Sequence, residues 1–564
     1  MEGKEFLTDF SEREEKALSN FVTDTESDIY AVKNLSPEIF GAFGSFFSRS
    51  PKDVREHLVD AIKGEVRGHE IEGGDERVEK LANTAEGEGE RFDHPQNALE
   101  AGLEKAQSFF NKYYGTYGHK SIANTVWIPF VANDVSQLFA RKLAEDQLAF
   151  FIEQSTRYVE FDKENYYKDP DLMESKHRDT YTDTIEHMTE NYEEFTEIAK
   201  EYYMNKHPFE EWIKKQSEEV QKKSDSYLER KYEREIDGKA LDIARFLLPQ
   251  AIQTNIAWAL DARSTEFDIA SWKASPLAEI QNSAEKIEEA GGDIAPSLLK
   301  YTDESEYRSD KLNLYNSDFD VENSEKIRKG VEIISKPEDM LEKVIAHILK
   351  ENNSLKFSDA LEKSEDMSYQ EKVEILERKV EKREEYDEWI GANEELDIEK
   401  LTFEIKTDIG ALRDLRRHQK NDRGENIYSL DMGYYRPDIV DDMPERAQEL
   451  FEDTMAISNE AEKQIRSDFP LQAQYVLPMA TMTTITMSMG LDQLQYFVNL
   501  RSTPEGNFSY RIDALNLAEE VAKELPWLLG YKKYPEEKNI QEAYNEAPLK
   551  DFMEIQTEDT GFHS

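Results

Sequence analysis

Cysteine is absent from the 564 residues, which excludes disulfides, thiolate metal sites and any cysteine nucleophile. Long apolar runs are missing too: none approaches the ~18 residues needed to cross a membrane, and the opening MEGKEFLTDFSEREEK has no signal-peptide core. Basic side chains are scarce, with 70 Lys and Arg against 120 Asp and Glu and a net charge of -50. Self-repulsion on that scale works against a compact state at low salt. At 1 M salt the Debye length falls to about 3 Å, so the composition points to a halophilic source and a cytoplasmic protein. So acidic a surface disfavours nucleic acid or an anionic membrane as a partner, and any anion site must be a local basic island.

What is present is a chain long enough for two or more domains. Residues 1–97 read as a helical, polar extension leading into a first domain. After Asn97 an apolar pattern of helical spacing runs into Phe109, Phe110, Tyr113, Tyr114 and Tyr117, an aromatic stretch suited to core. Val126 to Val131 reads as a buried strand and Val135 to Ala149 as a helix. Residues 166–237 suit charged helical hairpins, and Leu241 to Ala262 a buried helix interrupted near Pro249. Residues 291–336, rich in Asp, Ser, Asn and Gly, suit a linker. Beyond it come charged helices to Trp389, a strand at Leu401 to Ile405 and a second buried helix from Gln472 to Leu500.

That order of elements occurs twice, which suggests an internal repeat. The run from Ala244 to Pro249 aligns with the run from Ala473 to Pro478, Ala251 with Ala480 and Thr254 with Thr483. Asp134 to Leu138 aligns with Asp408 to Leu412. The expected domains are 98–290 and 337–564, two diverged copies of one unit.

One cluster carries chemistry. Glu153-Gln154-Ser155-Thr156-Arg157-Tyr158 puts an acid, a hydroxyl and a guanidinium within six residues. An arginine fork accepts a phosphate or carboxylate bidentately, and a serine adds a donor. The plain alternative is a surface salt bridge.

These residues resemble the flavin-dependent thymidylate synthases, whose signature is Arg-His-Arg, seven residues, then Ser-x-Arg-Tyr. A Gly-His-x-Ser/Thr segment precedes it and an Ala-Arg-x-x-Leu-Pro segment follows. The first copy has Gly118-His119-Lys120-Ser121, Ser155-Thr156-Arg157-Tyr158, Ala244-Arg245 with Leu248-Pro249, and Asp261-Ala262-Arg263-Ser264. The second has Arg417-His418-Gln419 and Asn499-Leu500-Arg501. The first copy's Arg-His-Arg position falls at Leu143-Ala144-Glu145 in this alignment, and the second copy's Ser-x-Arg-Tyr at Asp431-Met432-Gly433-Tyr434. Neither copy is complete alone.

The resemblance implies an α+β, helix-rich fold with two tandem copies of a small antiparallel sheet flanked by long helices. It implies methylation of dUMP to dTMP with FAD, methylenetetrahydrofolate and NADPH, a route that needs no cysteine nucleophile. Ser155, Arg157 and Arg245 would bind dUMP, and Arg501 or Lys273 would polarise the pyrimidine. His119, Ser121, Glu153, Arg263, Arg417 and His418 would contact the flavin. Family members are homotetramers with sites between subunits, so a fused pair implies composite sites and a homodimer forming a pseudo-tetramer. A plainer reading takes Arg416 and Arg417, with Arg413 and Lys420, as a solvated face, and the chain as a diverged, non-catalytic paralogue that binds a nucleotide or flavin.

Overall fold

The computed structural model describes residues 10–27, 29–47, 52–63, 73–87, 89–99, 120–157, 161, 164–304, 325–380, 394–503 and 506–528. The aromatic run from Phe109 to Tyr117 lies outside them. The chain forms two compact units. One comprises residues 1–131, 148–152 and 257–320, and the other residues 132–147, 153–256 and 321–564. The larger unit thus draws on both halves of the sequence.

In the smaller unit, the helices Glu12–Leu18, Pro37–Phe47, Val54–Lys63 and Gly74–Glu86 gather around Leu18, Phe21, Leu58, Ile62 and Leu81. Two small antiparallel sheets complete the fold. Strands β1 (Trp127–Ser136), β2 (Phe150–Glu153) and β3 (Gln253–Asp261) form the first, in the order β1-β3-β2. Strands β4 (Gly330–Ser335), β5 (Lys400–Asp408), β6 (Asn421–Glu425) and β7 (Met482–Gly490) form the second, in the order β4-β5-β7-β6. Apart from the added β4, which comes from the stretch read as a linker, the two orders are the same.

Four expected elements differ from the structure. After Pro249 the chain is β3 and not a helix, and after Pro478 it is β7. In β7, Ile485, Met487 and Met489 are buried while Thr484, Thr486 and Ser488 face outward, a period of two that β-branched residues favour. The apolar residues around each Pro suggest helix; the proline follows a 3₁₀ turn instead. The helix expected at Val135 to Ala149 is confined to Gln137–Leu143, and the buried strand at Val126 to Val131 is exposed on alternate residues. Charged helices are confirmed at Arg178–Lys206 and Asp225–Ala244.

The repeat is visible in the backbone of the larger unit. Pro249 and Pro478 form an antiparallel bridge. On either side, Gln250 N donates to Leu477 O and Met479 N to Leu248 O, each at 2.9 Å. Ala251 N donates to Tyr475 O at 2.9 Å, and Ala480 N to Phe246 O at 3.0 Å. Each bond has its mirror, so the two Leu-Pro segments pair about a local two-fold, as like subunits do across an isologous contact.

Candidate functional site

The same two-fold fixes which residues correspond. Gln137 N donates to Ile252 O as Ile409 N does to Thr481 O. Ser136 caps the helix Gln137–Leu143 as Asp408 caps the helix Ile409–Leu415. Asp408 therefore corresponds to Ser136 rather than Asp134, a two-residue correction to the alignment. Arg413 corresponds to Arg141, and Arg417-His418 to Glu145-Asp146 rather than Leu143-Ala144.

A second correction follows at the nucleotide motif. Tyr167 N donates to Ala251 O and Tyr435 N to Ala480 O, both at 2.8 Å, so Tyr434 corresponds to Tyr166 and not to Tyr158. Glu153 corresponds instead to Glu425, because each accepts an ion pair from the matching arginine of the other copy: Arg413 to Glu153 and Arg141 to Glu425, the latter at 3.0 Å. Two positions on, Ile427 replaces Ser155; four on, Ser429 replaces Arg157. At the Leu-Pro segment Gln474 replaces Arg245.

Seven of the expected site residues lie in the larger unit, and each makes a polar or ionic contact there. Arg157 clamps Asp242 bidentately, Nε to Oδ1 at 2.7 Å and Nη2 to Oδ2 at 2.8 Å, while its amide donates to Ser155 Oγ at 3.2 Å. Arg413, buried, holds Glu153 and donates to Thr156 Oγ1 at 3.2 Å. Asp414 lies 3.9 Å from Arg245 and 3.8 Å from Arg417. Burial would push the Asp414 carboxyl up, but Arg417, Arg501, Arg245 and Arg413 outweigh it and hold it below the usual range. Arg501 donates from Nε to His418 Nε2 at 3.1 Å and lies over the Tyr510 ring. Burial first, then Arg501 and Arg423, push His418 well down, so the ring is neutral and accepts that bond on Nε2.

Arg245 decides what the network can hold. It is 2% exposed, and neither its Nε nor its Nη2 has a hydrogen-bond partner. A buried guanidinium with unmade bonds is costly. Among the described residues, Arg157, Arg245, Arg413, Arg417 and Arg501 gather around Asp242, Asp414 and Glu153, so arginines form a local basic island in a chain of net charge -50. A phosphate monoester carries about -1.5 to -2 at neutral pH, which would suit that island and fill the open donors of Arg245.

Ser121, Arg263 and Lys273 lie in the smaller unit. Ser121 and Arg263 are exposed; Lys273 is tied to Glu288 at 2.5 Å. His119 lies outside the described residues. The solvated-face reading fails for Arg413 and Arg416, which are buried. Sequence reasoning misses Asp242, Asp414 and Tyr510, and reads Arg413 as part of a solvated face. The helix cap at Ser136 and Asp408, one residue type apart, was the signal that would have put Arg141 opposite Arg413.

Two regions of the chain, residues 69–297 and 340–527, match the family described as thymidylate synthase complementing protein. A UPF0159 protein of Chlamydia muridarum is 27% identical over 544 residues, 93% of this chain and 95% of its own length. One from Thermoplasma acidophilum is 24% identical over 475 residues, 77% of this chain and 90% of its own. A protein of Clostridium tetani named flavin-dependent thymidylate synthase is 26% identical over 202 residues, 35% of this chain and 71% of its own length. With well over half of its length matched, in two successive regions, the chain belongs to the thymidylate synthase complementing protein family and carries that family's domain as two tandem copies.

Proposed function

We propose that the chain is a flavin-dependent thymidylate synthase with one working site, built from both copies in the larger unit. The open donors of buried Arg245 carry the reading. Arg245 and Arg157 would grip the dUMP phosphate, with Ser155 as a further donor. Arg501, oriented by neutral His418, would stabilise charge that develops on the pyrimidine carbonyl; it suits this better than Lys273, which Glu288 already engages. Such a site acts by positioning and charge, not by an enzyme nucleophile.

The residues fit a flavin less completely. In the larger unit Arg417 is exposed and open to a dinucleotide, whereas Glu153 and His418 are engaged by Arg413 and Arg501. When bound, FAD would relay reducing equivalents from NADPH to the carbon taken from methylenetetrahydrofolate.

The pseudo-equivalent site supports a single working one. It keeps the Arg141–Glu425 pair, the partner of Arg413–Glu153, yet has Gln474, Ser429, Ile427, Glu145 and Asp146 where the first has Arg245, Arg157, Ser155, Arg417 and His418. Tyr428 fills the space beside Arg141, with the guanidinium 3.9 Å from its ring centroid and Arg416 2.9 Å from its hydroxyl. What both sites retain reads as scaffold, and what only one retains reads as ligand-binding. A second pseudo-subunit pairing, two chains to a pseudo-tetramer, goes with this reading.

Protein purified in molar salt is expected to be yellow, and its photoreduced flavin to be reoxidised by methylenetetrahydrofolate only when dUMP is present. Arg157→Ala should abolish that dependence. Colourless protein that binds dUMP would favour the non-catalytic paralogue.

A further inference from the structure

At the end of β7 the second copy inverts a charge. Counted from Pro249 and Pro478, Asp492 stands at the position of Arg263 and Gly490 at that of Asp261. Asp261 caps the helix Ala262–Lys273 with its side chain. Gly490 has none to cap the helix Leu491–Arg501, and a carboxylate appears instead in that helix's first turn, at Asp492. Asp492 is 4% exposed, and its Oδ1 has no hydrogen-bond partner, while Oδ2 accepts from Gln493 Nε2 at 2.7 Å. Facing it is the exposed Asp397, from the 3₁₀ turn Glu394–Ile398. The two carboxylates meet at one point: a Cβ built on Gly490 would collide with Asp397 Oδ1 and stand 2.7 Å from Asp492 Oδ1. Gly490 has φ -60° and ψ 151°, angles that any residue adopts, so glycine is there for room and not for conformation.

Two carboxylates so placed repel. Burial first, then Asp492, raise the Asp397 carboxyl against the pull of Lys420 and Lys400, and Lys400 is itself drawn to Asp422 at 3.2 Å. The positive end of the helix offsets only about half a charge. We propose that Asp397 and Asp492 bind a hydrated divalent cation of the Mg²⁺ class over Gly490. The donors are oxygens alone, which selects a hard cation. Among the described residues no third carboxylate or imidazole joins them, and Mg²⁺ is the ion that keeps several waters and takes one or two carboxylates. The ion would satisfy the open acceptor of Asp492 and tie the turn Glu394–Ile398 to the start of the helix that ends on Arg501. Glu399 O already accepts from Leu491 N at 3.1 Å, so the cation adds a side-chain clasp to a backbone one.

This site shares no residue with the nucleotide network, and the inference stands whether or not dUMP binds. Mn²⁺ is the probe, since the paramagnetic signal of the free ion falls as it binds. Titration of the full chain in molar KCl, without nucleotide, should show one Mn²⁺ taken up per chain ahead of any diffuse uptake, and Mg²⁺ should displace it. Asp397→Asn should weaken that uptake at least ~10-fold with its circular dichroism unchanged. Mg²⁺ should raise the unfolding midpoint of the parent and not of this variant. Glu404→Gln, which removes one charge from β5, should bind as the parent does. A parent that leaves the Mn²⁺ signal at its buffer value, an Asp397→Asn variant with parental affinity, or an equal loss in Glu404→Gln overturns the inference.

Discussion

Replacing Arg245 with glutamine is expected to weaken dUMP binding about 100-fold, a loss of ~2.7 kcal/mol, while the unfolding midpoint stays level or rises. The two effects point in opposite directions for one reason. In the free protein the Arg245 guanidinium is buried with Nε and Nη2 unsatisfied, so it contributes strain and not stability. Only a bound anion completes its bonds, and charge-assisted bonds of that kind are the strong ones. Glutamine is the residue that the second copy places at the same point, Gln474, where it is 4% exposed and accepts from Tyr428 N at 3.1 Å, so the backbone tolerates it. Titration calorimetry and a thermal melt read both effects. A variant that binds dUMP like the parent, or that unfolds well before it, would mean that Arg245 is structural.

Lys329→Met is expected to cost about 3–5 kcal/mol at pH 8 and clearly less at pH 5. Lys329 is buried 2.7 Å from Asp408 and 2.9 Å from Asp513, and Thr407 also donates to Asp513 at 2.5 Å. Asp408 accepts from Ser509 and caps the helix that carries Arg413 and Asp414, so the ammonium secures the rear of the site. Burial, opposed by Lys329, pushes the Asp513 carboxyl up to about 6. A carboxyl raised above its unfolded value of about 3.9 contributes stability that is full below pH ~4 and lost as pH rises through about 6. Without the lysine the charged pair is worst at pH 8, and at pH 5 Asp513 takes a proton that relieves it. Denaturant unfolding at both pH values gives the comparison; equal losses at pH 8 and pH 5 would contradict it.

Much of the fold was legible because apolar periodicity and the two Leu-Pro segments are local signals. The tandem copies followed from Ala244 to Pro249 beside Ala473 to Pro478, and the two-fold pairing at Pro249 and Pro478 gives that match its physical meaning. What misled was register. Between the copies the spacing changes at each insertion, so Asp134 was set against Asp408 when Ser136 does the capping, and Tyr158 against Tyr434 when Tyr166 pairs at that place. Period-two alternation in β3 and β7 is hidden by the apolar residues around each proline. Of the proposed site, Arg157, Arg245, Arg417, His418 and Arg501 are named from sequence, because motifs name residue types. Asp242 and Asp414 are not, because a carboxylate that neutralises an arginine is recruited by tertiary position and leaves no mark of spacing; Arg413, read as part of a solvated face, is buried by tertiary packing.

The number of dUMP molecules bound per chain tests the single composite site most directly. Titration of the protein in molar salt should reach one dUMP per polypeptide, with no binding left at comparable concentrations in Arg245→Gln. Two dUMP per chain, or none, would contradict it.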